Sequence, residues 1–192
     1  MSPDTEPSAL PARERILRTA ISLIAQHGAE RVTHRMVAEA AEMSPGTLTY
    51  HFADRDGMIR EAFKLYIDDY INGLDHALEA RPLKSIDDVV SFLTVMTTLD
   101  PEDTELAAVE YELVSKANRD PGLREPVATW AASLCNAISA ALDAGGHDSP
   151  VETANLLVGL TRGTEADVLT RRVRIEDEIF QERVKAVVKA RI

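Results

Sequence analysis

The sequence predicts an all-α protein of nine helices, and three observations carry that prediction. A side-chain oxygen followed by proline recurs at Ser44-Pro45, Asp100-Pro101, Asp120-Pro121 and Ser149-Pro150, each pair an N-cap and the residue best suited to a first helical position. Apolar residues recur at three- and four-residue spacing along most of the chain. No alternating apolar and polar run bounded by hairpin turns competes with them.

Taken in order, residues 1–11 carry Pro3, Pro7 and Pro11 among small and acidic residues and read as a flexible tail. Helix α1, at 12–27, shows the stripe Ile16, Leu17, Ala20, Ile21, Ile24 and stops at Gly28. Thr33 caps α2 (34–42), Ser44 caps α3 (45–52) and Asp54 caps α4 (55–80), a long helix ending before Pro82. Ser85 with Asp88 opens α5 (86–99), Asp100 opens α6 (101–118) and Asp120 opens α7 (121–144), which stops at Gly145-Gly146. Ser149, with Glu152 completing a capping box, opens α8 (150–170). The last helix, α9 (176–190), has Glu176, Asp177 and Glu178 at its start and Lys185, Lys189 and Arg191 at its end, as the helix dipole prefers. The predicted division is a tail at 1–11, a three-helix domain at 12–54 and a helical body at 55–192.

The three short helices carry the first functional signal. Val37, Ala38 and Ala41 on α2, a turn through Glu42 and Met43, and a second helix of about two turns make a helix-turn-helix layout. At about 100° per residue, Leu48 and Phe52 of α3 lie about 40° apart and face a core, which puts Gly46 and Tyr50 on the opposite side between Thr47 and Thr49. Small, hydroxylated and aromatic residues on a solvent face suit a helix entering a major groove. Ser44 and the free N–H groups behind it favour a phosphate, and His51 and Arg55 can reach flanking ones. These helices can equally form a plain three-helix cap on which Tyr50 packs.

The spaced residues Ile16-Leu17, Ala20, Ile24-Ala25 and Gly28, then Thr33-x-Arg35-x-Val37-Ala38-x-x-Ala41, then Gly46-Thr47-Leu48-x-Tyr50-His51-Phe52, resemble the DNA-binding domain of the TetR family of bacterial transcription regulators over about residues 12–60. The resemblance implies that Thr33, Arg35, Ser44, Pro45, Gly46, Thr47, Thr49, Tyr50, His51 and Arg55 meet operator DNA, with Arg35 and the α3 face nearest the bases. It also implies a ligand-responsive homodimer, most often a repressor, whose body encloses a small-molecule pocket. Two heads would then read a near-palindrome about 34–36 Å apart or slightly more, and an effector shifting α4 would release the DNA. The chain departs from the family in having Glu42 where glycine is usual, Thr49 for an aromatic and Arg55 for lysine.

In the body, α4 presents Tyr66 and Tyr70, and α5 to α7 supply Phe92, Met96, Tyr111, Trp130 and Leu134, residues that suit either an effector pocket or ordinary core. With Leu106 as the reference direction, Glu110 lies about 40° away inside the apolar stripe of α6. A carboxylate there needs a partner, either a ligand cation or hydroxyl or an internal arginine. Helix α8 is apolar on two sides, with Ala154, Leu157, Val158 and Val168 on one and Leu156, Leu160 and Gly163 on the other, beside Gly159-x-x-x-Gly163. The second side predicts pairing of α8 and α9 with their copies across a twofold axis.

Charge sharpens the division. The net −11 looks hostile to nucleic acid, but residues 1–60 hold seven Lys or Arg against eight Asp or Glu, whereas residues 61–192 hold fourteen against twenty-four. The acidity belongs to the body. A single cysteine, Cys135, excludes a disulfide framework and a multi-cysteine zinc site. No apolar run reaches the roughly 18–20 residues of a membrane span, the start MSPDTEPSALPA lacks the features of a secretory signal, and a cytoplasmic protein is expected. There is no Glu-x-x-His pair and no GxxxxGKS/T loop, and His27, His34, His51, His76 and His147 lack metal-ligand spacing. No cofactor, metal or catalytic residue is predicted; a bundle enzyme or an all-α interaction adaptor stands as the alternative.

Overall fold

Residues 10–190 are described by the structure, a computed structural model. Among them nine helices follow in order: α1 Ala12–His27, α2 His34–Ala40, α3 Pro45–His51, α4 Arg55–Ala80, α5 Ile86–Met96, α6 Glu105–Ala117, α7 Pro121–Ala144, α8 Pro150–Arg171 and α9 Asp177–Lys189. The predicted tail falls largely on residues 1–9, which lie outside the described residues, as does Arg191.

Most predicted caps act as caps. Thr33 accepts from Met36 N (3.2 Å), Ser44 from Thr47 N (3.1 Å), Asp54 from Gly57 N (2.7 Å) and Asp120 from Gly122 N (2.9 Å). Ser85 accepts from Asp88 N (3.1 Å) while the Asp88 carboxylate accepts from Ser85 Oγ (2.8 Å) and from Lys84 N (3.1 Å), closing the start of α5. Two expectations fail for physical reasons. Asp100 turns its carboxylate onto Glu102 N (2.9 Å) and Arg174 (3.2 Å), closing a local turn, so α5 ends at Met96 and α6 starts only at Glu105. Ser149 makes no side-chain cap; its own N–H donates to His147 Nδ1 (3.2 Å) instead.

The described chain divides into two compact units, one of residues 10–69 and 108–127, the other of 70–107 and 128–190. That division falls inside α4, α6 and α7, whereas the sequence places the boundary at 54/55. In the first unit the α1 stripe, Ile16, Leu17, Ala20 and Ile24, is buried with Val37, Leu48, Met58, Ile59 and Phe63. The C-terminal part of α6 and the start of α7 belong to this unit, where Arg60 pairs with Asp120 (2.9 Å) and Lys116 with Asp56 (3.2 Å). Burial pushes the Asp120 carboxyl up, but the Gly122 N–H and the Arg60 guanidinium outweigh it and hold that group below its usual range.

In the second unit α9 packs against α5 and α8. Its core joins Val89, Val90 and Leu93 to Ile138, Leu142, Leu157, Phe180 and Val184. The side of α8 formed by Ala154, Leu157, Val158 and Val168 is buried here. On its predicted other side Leu156 and Gly163 are exposed, as are Gly159 and, on α9, Ile179, whereas Leu160 is half-buried against the same core. A Cβ added at Gly159 or Gly163 would meet nothing within 4 Å.

Candidate nucleic-acid interface

The geometry of the head follows from its turn. After α2, Met43 N donates to Ala38 O (2.8 Å), the long-range bond of a Schellman ending, and Glu42 occupies the left-handed position at φ 53°. This is the position where the family usually has glycine, and the turn closes here with a glutamate. Ser44 then starts α3, with Leu48 and Phe52 buried and Tyr50 86% exposed. Gly46, Thr49 and Pro45 share the exposed side, and Thr47 and His51 are half-buried at its margins. A Cβ at Gly46 would meet only Ser44 Oγ at 3.7 Å, an ordinary contact. Nothing within the chain therefore requires glycine there, which is what a helix needs if another molecule approaches it closely.

The hydroxyls on this face are partly committed. Thr49 donates to Pro45 O (2.9 Å) and Ser44 and Thr47 bond each other (2.9 Å), so each enters an interface with its rotamer already held. The Tyr50 and His51 rings meet edge to face at 5.1 Å between centroids.

The arginines separate into two sets. Arg13 pairs with Glu61 (3.0 Å) and lies over the Phe52 ring, Arg15 donates to Ala41 O (3.1 Å), and Arg18 bridges Glu14 and Asp69. Arg55 is tied into the same unit: its guanidinium donates to Val32 O (2.7 Å), to Ala29 O and to Asp56 (2.8 Å), so three of its five N–H donors hold the α1–α2 turn and Asp56. Arg31 and Arg35 are exposed and have no ion-pair or hydrogen-bond partner for their guanidinium groups among the described residues.

The predicted effector residues divide between the units. In the first, Tyr66 is buried and its hydroxyl donates to Glu110 (2.9 Å); Tyr111 is exposed. The buried face of α6 is made up differently from the predicted stripe. Ala107, Val109, Leu113 and Ala117 are buried, while Leu106 and Val114 face solvent. In the second unit Tyr70 meets Trp130 edge to face at 5.9 Å and Arg162 lies over the indole at 5.1 Å. Trp130 is buried with no hydrogen-bond partner for its Nε1. Phe92 and Leu134 are half-buried, and Met96 lines a cavity of about 230 Å³ with Thr97, Asp100, Arg174 and Asp177. Sequence reasoning missed Arg31, Arg162 and Glu112, whose carboxylate accepts from Ala29 N (3.0 Å).

Two family models match the chain: "Bacterial regulatory proteins, tetR family" over residues 16–62 and "Tetracyclin repressor-like, C-terminal domain" over residues 84–191. The chain belongs to the TetR family. It is a DNA-binding transcription regulator of the ligand-responsive repressor type, and not an enzyme. The HTH-type transcriptional regulator UidR of Escherichia coli (strain K12) is 24% identical over 175 residues, covering 88% of this chain and 87% of that protein. A transcriptional regulator of Rhodococcus sp. Rha1, RHA1_ro04179, shares the TetR-family fold at a TM-score of 0.80 and 20% identity, over 94% of this chain and 95% of its own. The multidrug binding protein EbrR, solved with proflavin, has a TM-score of 0.64 and 26% identity over 92% of this chain and 99% of its own. Members of the TetR family bind operator DNA and small-molecule effectors, typically as dimers. Among the described residues no helix is long and apolar enough to cross a membrane.

Proposed function

We propose that this TetR-family chain represses by reading a palindromic operator with Arg35 and the exposed face of α3, namely Pro45, Gly46, Thr47, Thr49, Tyr50 and His51, with Thr33 and Ser44 on flanking phosphates. The observation that carries this reading is the contrast within one short helix: Leu48 is 1% exposed and Tyr50 86%. Arg55 acts in it as a positioning residue through the carbonyls of Ala29 and Val32. The protein works in the cytoplasm as a homodimer paired through α8 and α9, which is supported by the solvent-facing Leu156, Gly159, Gly163 and Ile179. Two heads then meet successive major grooves about 34–36 Å apart or slightly more.

The effector is a small molecule held by residues among Tyr66, Tyr70, Phe92, Met96, Glu110, Tyr111, Trp130 and Leu134. It lowers operator affinity only by as much as it prefers the non-binding state. Selecting bound fragments from a genomic library tests the whole reading. A recovered near-palindrome, released by a metabolite extract, is the expected result; absence of any enriched DNA refutes it. Loss of release on Trp130→Ala, with operator binding kept, would place the effector beside the indole.

A further inference from the structure

The α1–α2 turn carries a side chain that the recognition-helix reading leaves unused. Arg31 is exposed and unpartnered among the described residues. Of the seven arginines between residues 10 and 60, Arg13, Arg15, Arg18, Arg55 and Arg60 are each spent on a protein carboxylate or carbonyl. Only Arg31 and Arg35 are left, and they flank the Thr33 cap of α2.

The backbone beneath Arg31 is held from several sides. Arg31 N donates to Gly28 O (3.1 Å), Glu112 accepts from Ala29 N (3.0 Å), and Arg55 donates to the carbonyls of Ala29 and Val32. Ala29 and Val32 are buried at 2% and 0% exposure, so the turn is anchored on both sides of the exposed pair Glu30 and Arg31. Glu30 lies 4.0 Å from Lys116, whose ammonium also pairs with Asp56 at 3.2 Å. A long cation on a fixed backbone, free of intramolecular partners and beside the residues proposed to meet DNA, has what a phosphate anchor needs: charge, reach and a position set before binding.

We infer that Arg31 binds a backbone phosphate of the operator, making the α1–α2 turn a second DNA-contacting element beside α3. This rests on the DNA reading proposed above. A phosphate contact raises affinity for any duplex, so Arg31 adds strength where Arg35 and α3 add sequence preference.

The test measures binding of the full chain, and of Arg31→Ala, Arg31→Lys and Arg35→Ala, to the labelled duplex recovered by fragment selection and to a random duplex of equal length, between 50 and 200 mM salt. One phosphate contributes about 0.9 to the slope of log K against log salt and a dimer carries two copies of Arg31, so Arg31→Ala should flatten that slope by about 1.8. Its loss of affinity across the salt range is then about twelvefold smaller than the parent's. Arg31→Ala weakens both duplexes by the same factor, Arg31→Lys restores the slope, and Arg35→Ala lowers the ratio between the duplexes. Unchanged affinity and slope in Arg31→Ala, with the parent binding normally, overturns the assignment. So does a variant that loses preference between the duplexes while keeping the slope. A parent chain that binds neither duplex removes the DNA reading itself, a result distinct from both.

Discussion

The reading head and the α8–α9 surface leave different things unfinished. In the head the caps of α2, α3 and α4 are filled, five arginines are tied down, and the residue facing out from α3 beside Gly46 is Tyr50. What remains open is cationic, hydroxylated and aromatic. On α8 and α9 the open residues include Leu156 at 43% exposure, Ile179 at 47%, and Gly159 and Gly163 with free space above them, set among polar residues such as Asn155 and Arg162. A surface that lacks charge partners suits phosphates and base edges, and a surface that lacks apolar cover suits a second copy of itself. Two partners are thus distinguishable by the chemistry each surface is missing.

The head side of this contrast should break with the largest effect. Tyr50→Ala removes a contact made twice in a dimer; at about 1–3 kcal/mol for each good base-edge contact, operator affinity should fall by about 30-fold to about 25,000-fold. Circular dichroism and the oligomeric state should stay as in the parent, because Tyr50 contributes little to the core. A variant that retains parental affinity in an anisotropy titration would mean that α3 is not the reading element. On the other surface, Leu156→Glu places two charges across the twofold axis, and light scattering should show monomers at micromolar concentration. If the dimer persists, the interface lies elsewhere, and the exposed side of α8 needs another explanation.

Effects inside the head should be smaller and should appear as stability. Glu112→Ala leaves the part-buried Ala29 N–H without its acceptor, costing about 1–3 kcal/mol in urea unfolding. Glu112→Gln keeps an acceptor and should recover most of that loss. Asp120 predicts a pH dependence. Its folded carboxyl is held below its ordinary value, so its contribution is present above the unfolded pKa of about 3.9 and is lost as pH falls through the folded value. Asp120→Asn should be less stable at neutral pH, and its stability should fall less on acidification below about pH 4 than the parent's. Parallel acid transitions in parent and variant would show that the Arg60 pair contributes nothing.

Local signals in the sequence are enough to define most of the helices and one face of the head. Helix order follows from caps, since Thr33, Ser44, Asp54, Ser85 and Asp120 signal locally and are satisfied locally. The exposed face of α3 follows from the phase of Leu48 and Phe52. What sequence leaves illegible depends on distant partners. Asp100 looks like a cap until Arg174, 74 residues away, draws its carboxylate into a different turn. Arg55 gives no local sign that it also holds the carbonyls of Ala29 and Val32, more than twenty residues before it. Glu110 requires Tyr66, 44 residues away. Arg31 escapes sequence reasoning because its significance is relative: an arginine stands out only after the others have been paired off.

The smallest effect separates local strain from charge in the head. Glu42 adopts φ 53° at the end of α2, a conformation that costs an L-residue about 1–2 kcal/mol and costs glycine almost nothing. Glycine also has more freedom to lose on folding, about 0.5–1 kcal/mol, which offsets part of the relief. Glu42→Gly should therefore stabilise the chain by about 0.5–1 kcal/mol, a rise of roughly 1–4 °C in melting temperature for a chain of this size. Glu42→Ala keeps a side chain in the strained position and removes only the carboxylate, so its stability should stay near the parent's. Both variants should bind operator more tightly at low salt, because each takes a negative charge away from the turn before α3. If alanine stabilises as much as glycine, charge and not backbone strain burdens this turn. If neither changes affinity, the turn lies too far from the phosphates for its charge to be felt.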